Sequence, residues 1–167
     1  KQIDFVQDSI LLAYHKAGLP EKTIELAKLW LEKAQRYNPT ATGWWILSEI
    51  KYSEKDYKGA LWTSLYPIAF SSQLPMDHLN RCYVIAIASA MAIEDETHAH
   101  SLFNEMNKRS IAWPDDMPAF DNIKAQLDIK KANDKIEAES AIKAQEETKS
   151  VIRRKREKNS DLPTRTF

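Results

Sequence analysis

Apolar residues recur along this chain at the three- and four-residue spacing of amphipathic helices, and the signals that break the rhythm lie far apart. From Phe5, the apolar positions Ile10 or Leu11 and then Tyr14 lead to Gly18, which suits a helix end. Pro20 and Glu21 then suit the first turn of the next helix. Ile24, Ala27, Leu31 and Ala34 form one stripe down that second helix, which the Tyr37-Asn38-Pro39 run closes. A third helix is expected from Thr40 or Thr42, carrying Trp44, Leu47 and Ile50. Ser53, with Asp56 three residues on, has the form of a capping box. It would start a fourth helix through Tyr57, Ala60, Leu61 and Leu65, which Pro67 interrupts. Residues 71–75 read as a loop.

The segment 77–93 differs in kind. Cys82 through Ala88 is apolar without a break, and a helix with almost no polar face must be covered on most sides. A buried strand competes, because Tyr83-Val84-Ile85 is β-prone, but the length and the alanines favour helix. Glu94-Asp95-Glu96 marks a turn into a sixth helix with Ala99, Leu102, Phe103 and Met106, and Trp113-Pro114 ends the unit. The expectation is an all-α chain: three antiparallel helical pairs over residues 1–113, followed by residues 114–167 as a capping helix that extends into a charged tail.

Self-comparison finds Ala27, Ala60 and Ala99 early in the second helix of each pair, 33 and 39 residues apart. At these positions the chain resembles the tetratricopeptide repeat (TPR) family. Trp44-x2-Leu47-Ser48 and Tyr57-x2-Ala60 match in the middle unit, Ala27-x3-Leu31-x2-Ala34 with Asn38-Pro39 in the first, and Ala99-x3-Phe103-x2-Met106 in the third. The chain departs from the family where Lys51 replaces a tyrosine, Ser64 an aromatic residue and Pro67 a small one. The first pair's connection also counts about four residues longer than the family's turn.

The resemblance implies a solenoid whose first helices line a concave, partner-binding face. With Trp44 in the core, Trp45, Glu49 and Tyr52 would line that face. Asp8, Leu12 and His15 would join them from the first pair, and Arg81, Val84 and Ala88 from the third. The competing reading buries both tryptophans between repeats.

The tail from residue 117 is rich in helix formers. Phe120, Ile123 and Leu127 form a stripe able to cap the repeats, and an unbroken helix of 40 residues would reach about 60 Å. Further on, no heptad register lasts, so a coiled coil does not follow from the pattern, although the helix offers a route to homo- or hetero-oligomers. Lys149, Arg153, Arg154, Lys155, Arg156 and Lys158 make a basic run opposed by Glu157 alone. It could meet the phosphates of a nucleic acid or an anionic surface, the less favoured alternative for function, but no aromatic side chain interleaves it, so solvated cations at a helix end are the simpler account.

Composition narrows the function. The 167 residues carry no net formal charge, yet residues 1–116 hold 12 basic and 15 acidic side chains and the remainder 12 and 9. Three glycines are too few for a phosphate-cradling loop, and no run of apolar residues is long enough to span a membrane. One cysteine cannot form an internal disulfide, which favours a reducing compartment such as the cytoplasm; an exported location fits if a signal has been removed. His98 and His100 point to different helix faces, each four residues after an acid, Glu94 or Glu96, which suits surface pairs better than a metal site. No nucleophile lies near a base. The sequence therefore points to a non-enzymatic adaptor or assembly factor that binds a protein or peptide, without cofactor or metal. The alternatives are a structural subunit of a larger assembly or a secretion-type chaperone.

Overall fold

The computed structural model describes residues 2–33, 41–70 and 78–160, with side chains over 9–29, 41–70, 78–150 and at 152. Its α-helices are α1 (Gln2–Lys16), α2 (Pro20–Lys33), α3 (Ala41–Ser53), α4 (Tyr57–Phe70), α5 (Leu79–Ala92), α6 (Glu96–Lys108) and α7 (Asp121–Ser160). A 3-10 turn, Pro118–Phe120, precedes α7. No strand occurs among the described residues, and the chain divides into two compact units, Lys1–Asp121 and Asn122–Phe167.

Within the first unit, α1–α2, α3–α4 and α5–α6 are joined by the same turn. Gly18, Lys55 and Glu94 each adopt left-handed backbone, with φ of 67°, 65° and 62°. Their amides donate three residues back, to the carbonyls of His15, Tyr52 and Met91. The next amides, of Leu19, Asp56 and Asp95, donate five residues back, to Tyr14, Lys51 and Ala90. This is the Schellman arrangement, which satisfies carbonyls that a helix end leaves open. The following helix starts at once: Thr23, Ala60 and Ala99 donate to the carbonyls of Leu19, Asp56 and Asp95. Ser110, with φ 55°, closes α6 by the same pattern.

These turns correct two expectations. Ser53 does not cap α4; its hydroxyl donates back to the Ile50 carbonyl inside α3. Asp56 is the cap, accepting from the Gly59 amide at 2.9 Å, because the turn occupies Glu54 and Lys55. The turns also set the structural equivalence of the second helices. Thr23, Ala60 and Ala99 correspond, so Ala27 lies one helical turn too far along to be the partner of Ala60. Thr23 is fully buried and satisfies its hydroxyl on the Leu19 carbonyl at 2.8 Å. The first connection is accordingly no longer than the others.

Pro67 does not end α4, which continues to Phe70. Proline removes one amide and spoils the bond to the carbonyl of Thr63, but it is itself buried, and packing on both sides of it keeps the helix going. Residues 77–93 contain a helix, not a strand. α5 packs against α3, α4 and α6, and all nine residues from Cys82 to Ala90 are buried, which accounts for a segment without a polar face. Leu11, Ile46, Ile50, Leu61, Phe103 and Met106 complete the core around it. α1 and α2 pack on each other and on α3.

In the second unit α7 runs on as one helix, about 60 Å for the 40 residues including Asp121. Leu127 is buried, and every residue from Asp128 to Ser150 is exposed.

Candidate functional site

Four residues expected on a concave face do come together, but around a covered tryptophan. Trp45 is only 5% exposed. The His15 ring meets it edge-on at 5.6 Å, the His78 ring stacks on it at 5.2 Å, and the Arg81 guanidinium lies 4.4 Å from its ring centre. His15 Nε2 donates to Glu49 at 3.0 Å, tying α1 to α3. Thr42 Oγ1 and His78 Nδ1 share a hydrogen bond of 2.8 Å, tying α3 to the start of α5. Arg81 also donates to Asp116, and that bond holds the Asp116 carboxyl below the usual carboxylate range. The cluster joins α1, α3, α5 and the segment after α6 through one indole.

The expectation that Trp44 fills the core while Trp45 lines an open face is therefore reversed. α3 is contacted by α1, α2, α4 and α5, so most of its circumference is covered, and Trp45 takes the inner position. Trp44 is half-buried and lies against Tyr66 of α4 at 4.5 Å. The Trp45 Nε1–H is buried with no acceptor among the described residues.

The other expected positions separate. Tyr52 sits between Tyr57 and Phe120, with ring centroids at 5.2 and 5.3 Å, and its phenol is pushed upward by burial and by the neighbouring Tyr57. Leu12 is half-buried, and the side chain of Asp8 lies outside the described residues. Matching the three hairpin turns pairs Asp8, Leu12 and His15 with Trp45, Glu49 and Tyr52, as expected. In α5 the matching residues are Val84, Ala88 and Met91, so Arg81 stands one helical turn before the expected row. In the basic run Lys149 is exposed, and the side chains of Arg153, Arg154, Arg156, Lys155 and Lys158 lie outside the described residues.

The exposed aromatic surface lies elsewhere, on α4. Trp62, Tyr66 and Phe70 are 74%, 44% and 48% exposed and follow one another at four-residue steps. Tyr66 contacts Phe70 at 4.8 Å and Trp44 on its other side. Leu65 and the exposed Ala69 fall between them, completing an i, i+3, i+4, i+7, i+8 stripe. The opposite side of α4, formed by Ala60, Leu61, Ser64, Pro67 and Ile68, faces the core. α4 thus has two apolar stripes, and residues 59–70 contain no charge. The second stripe was present in the sequence but required a helix continuing past Pro67.

Among the described residues, no three His, Cys, Asp or Glu side chains converge as a metal site would require. His98 pairs with Asp95, three residues earlier, at 2.9 Å, rather than with Glu94. Cys82 is buried with its thiol on the Ala41 carbonyl, and burial raises its pKa, which suppresses the thiolate. No described helix is long and apolar enough to cross a membrane. Comparison of the chain with known protein families, with curated proteins and with solved structures finds no match to any of them.

Proposed function

We propose that this chain is a non-enzymatic protein-binding module of TPR-like helical hairpins, whose contact surface is the outer face of α4. The three hairpin turns with one hydrogen-bond pattern support the repeat reading. The contact surface rests on a single observation: α4 carries no charge from Gly59 to Phe70, yet its Trp62–Tyr66–Phe70 stripe is exposed. A helix stretch without a polar face is ordinarily covered, as α5 in the same unit is from Cys82 to Ala90. Exposed aromatic rows of this kind supply most of the energy in protein recognition. The Trp45 cluster, by contrast, works as an internal clasp between helices, so the concave-face anchor first expected from the sequence is not carried forward.

The test is affinity capture on the immobilised full chain, compared with Trp62→Glu. Proteins bound by the wild type should be lost from the variant while its melting temperature is unchanged, since Trp62 is largely outside the core. Equal capture by both chains would refute the assignment of the surface.

A further inference from the structure

We infer that the occupant of the α4 outer face is the same face of a second copy of this chain, packed antiparallel about a two-fold axis at Tyr66. The inference rests on the reading of α4 as the contact surface and adds the partner. Its first support is electrical. Residues 59–70 carry no charge, and Lys58, one turn before Trp62 on the same face, falls at opposite ends of an antiparallel pair, so two copies bring no like charges together; antiparallel helices also set opposite dipole ends side by side. A face built to select a different protein gains its discrimination from charged or hydrogen-bonding groups, which this stripe lacks apart from the Tyr66 hydroxyl and the Trp62 indole N–H.

The second support is shape. The ladder reads aromatic, aromatic, aromatic at equal four-residue steps, about 6 Å apart along the axis, and so has the same form in either direction. In an antiparallel pair centred on Tyr66, Trp62 of one copy faces Phe70 of the other. Exposed Ala69, beside Phe70, is small enough to leave room for the larger indole. Two-fold interfaces require this self-complementarity.

The area bears on the strength alone. At the exposures given, the three rings offer on the order of 300–400 Å² per copy. Paired, they bury on the order of 700 Å², short of the roughly 1,200 Å² at the lower limit of stable interfaces. The dimer is therefore a weak, reversible one, with a dissociation constant on the order of 100 µM.

Sedimentation equilibrium on the purified full chain, from about 5 µM to about 500 µM, brackets that constant. The expected result is a concentration-dependent monomer–dimer equilibrium, weakened at least about 30-fold by Trp62→Glu. The double variant Trp62→Glu with Phe70→Lys should regain association, because the antiparallel register sets each new carboxylate against a new ammonium. Ile136→Lys on α7 should leave the dimer intact. A wild-type chain that stays monomeric throughout overturns the inference, as does a dimer insensitive to Trp62→Glu, a double variant without rescue, or a dimer lost in Ile136→Lys. If the chain is monomeric but captures another protein in a Trp62-dependent way, the α4 surface stands and self-association falls. If capture is also indifferent to Trp62, both fall.

Discussion

Replacing Trp45 by alanine tests the helix arrangement most directly. A tryptophan carries up to about 250 Å² of surface that burial can remove from water, which at about 25 cal/mol per Å² sets an upper limit near 6 kcal/mol. Trp45 is 5% exposed, so almost all of that applies. Partial closure of the cavity by His15, His78 and Arg81, whose flexible ends line it, brings the expected loss to about 3–5 kcal/mol. For a unit of this size, each kcal/mol lowers the melting temperature by about 4 °C, so the fall should exceed about 12 °C. Trp44→Ala, at a half-buried site, should cost about 1–2 kcal/mol. Trp45→Phe is the sharper control: the indole N–H has no acceptor among the described residues, so removing it breaks no hydrogen bond and the cost should stay near 1 kcal/mol. Urea unfolding followed by the fluorescence of the remaining tryptophans measures all three. A Trp44→Ala chain less stable than Trp45→Ala would refute the arrangement, and a Trp45→Phe loss equal to that of Trp45→Ala would show that the N–H has a partner.

Ala60→Leu should overpack the crossing under α4 and cost about 1–3 kcal/mol in the same unfolding assay, because Ala60 is fully buried. Lys55→Gly should stabilise by about 0.5–1 kcal/mol, since glycine adopts φ 65° without the Cβ penalty, with the gain read as a raised urea midpoint. Asp56 is held below the usual carboxylate range by Lys51 and the Gly59 amide, and Asp95 by the amide and ring of His98. The folded state therefore binds their protons more weakly than the unfolded state does, so their contribution is present at neutral pH and is lost as pH falls through the carboxylate range; Asp56→Asn should flatten the acid limb of a stability–pH curve. Cys82, buried with its thiolate suppressed, should react with a soluble thiol reagent only at the rate of unfolding, and prompt labelling of the native chain would contradict its placement.

The helices were legible where polar faces exist. Gly18 and Pro20 marked the first turn unaided, and α6 showed its stripe of Ala99, Leu102, Phe103 and Met106 plainly. Where a helix is covered nearly all round, the sequence marked its existence, as for α5, but not which residue faces which neighbour, because a periodic pattern needs a solvent side to form against. For that reason Trp44 and Trp45 could not be ordered from α3 alone. The turns were hidden for another reason: Lys55, Glu94 and Ser110 occupy positions that usually signal themselves with glycine, and only Gly18 does so. Without those markers the alanines offered the nearest alignment, and Thr23 passed unnoticed as the first pair's equivalent. The aromatic stripe of α4 was missed through the weight given to Pro67 as a breaker, which holds for an isolated helix and less well for one packed against α3 and α5.

The 40-residue α7 has a consequence for how the molecule reports on itself. All five tryptophans fall before residue 114, whereas α7 contributes a large share of the helical backbone and no indole. From Asp128 to Ser150 every residue is exposed, so its helicity rests on local propensity and shifts gradually with temperature. Far-ultraviolet dichroism will then show a sloping loss spread over many degrees, with the cooperative step of the hairpins superimposed on it. Tryptophan emission will show that step alone. The gap between the two curves is a measure of how much of α7 is helical at any temperature, obtained from one sample without a label.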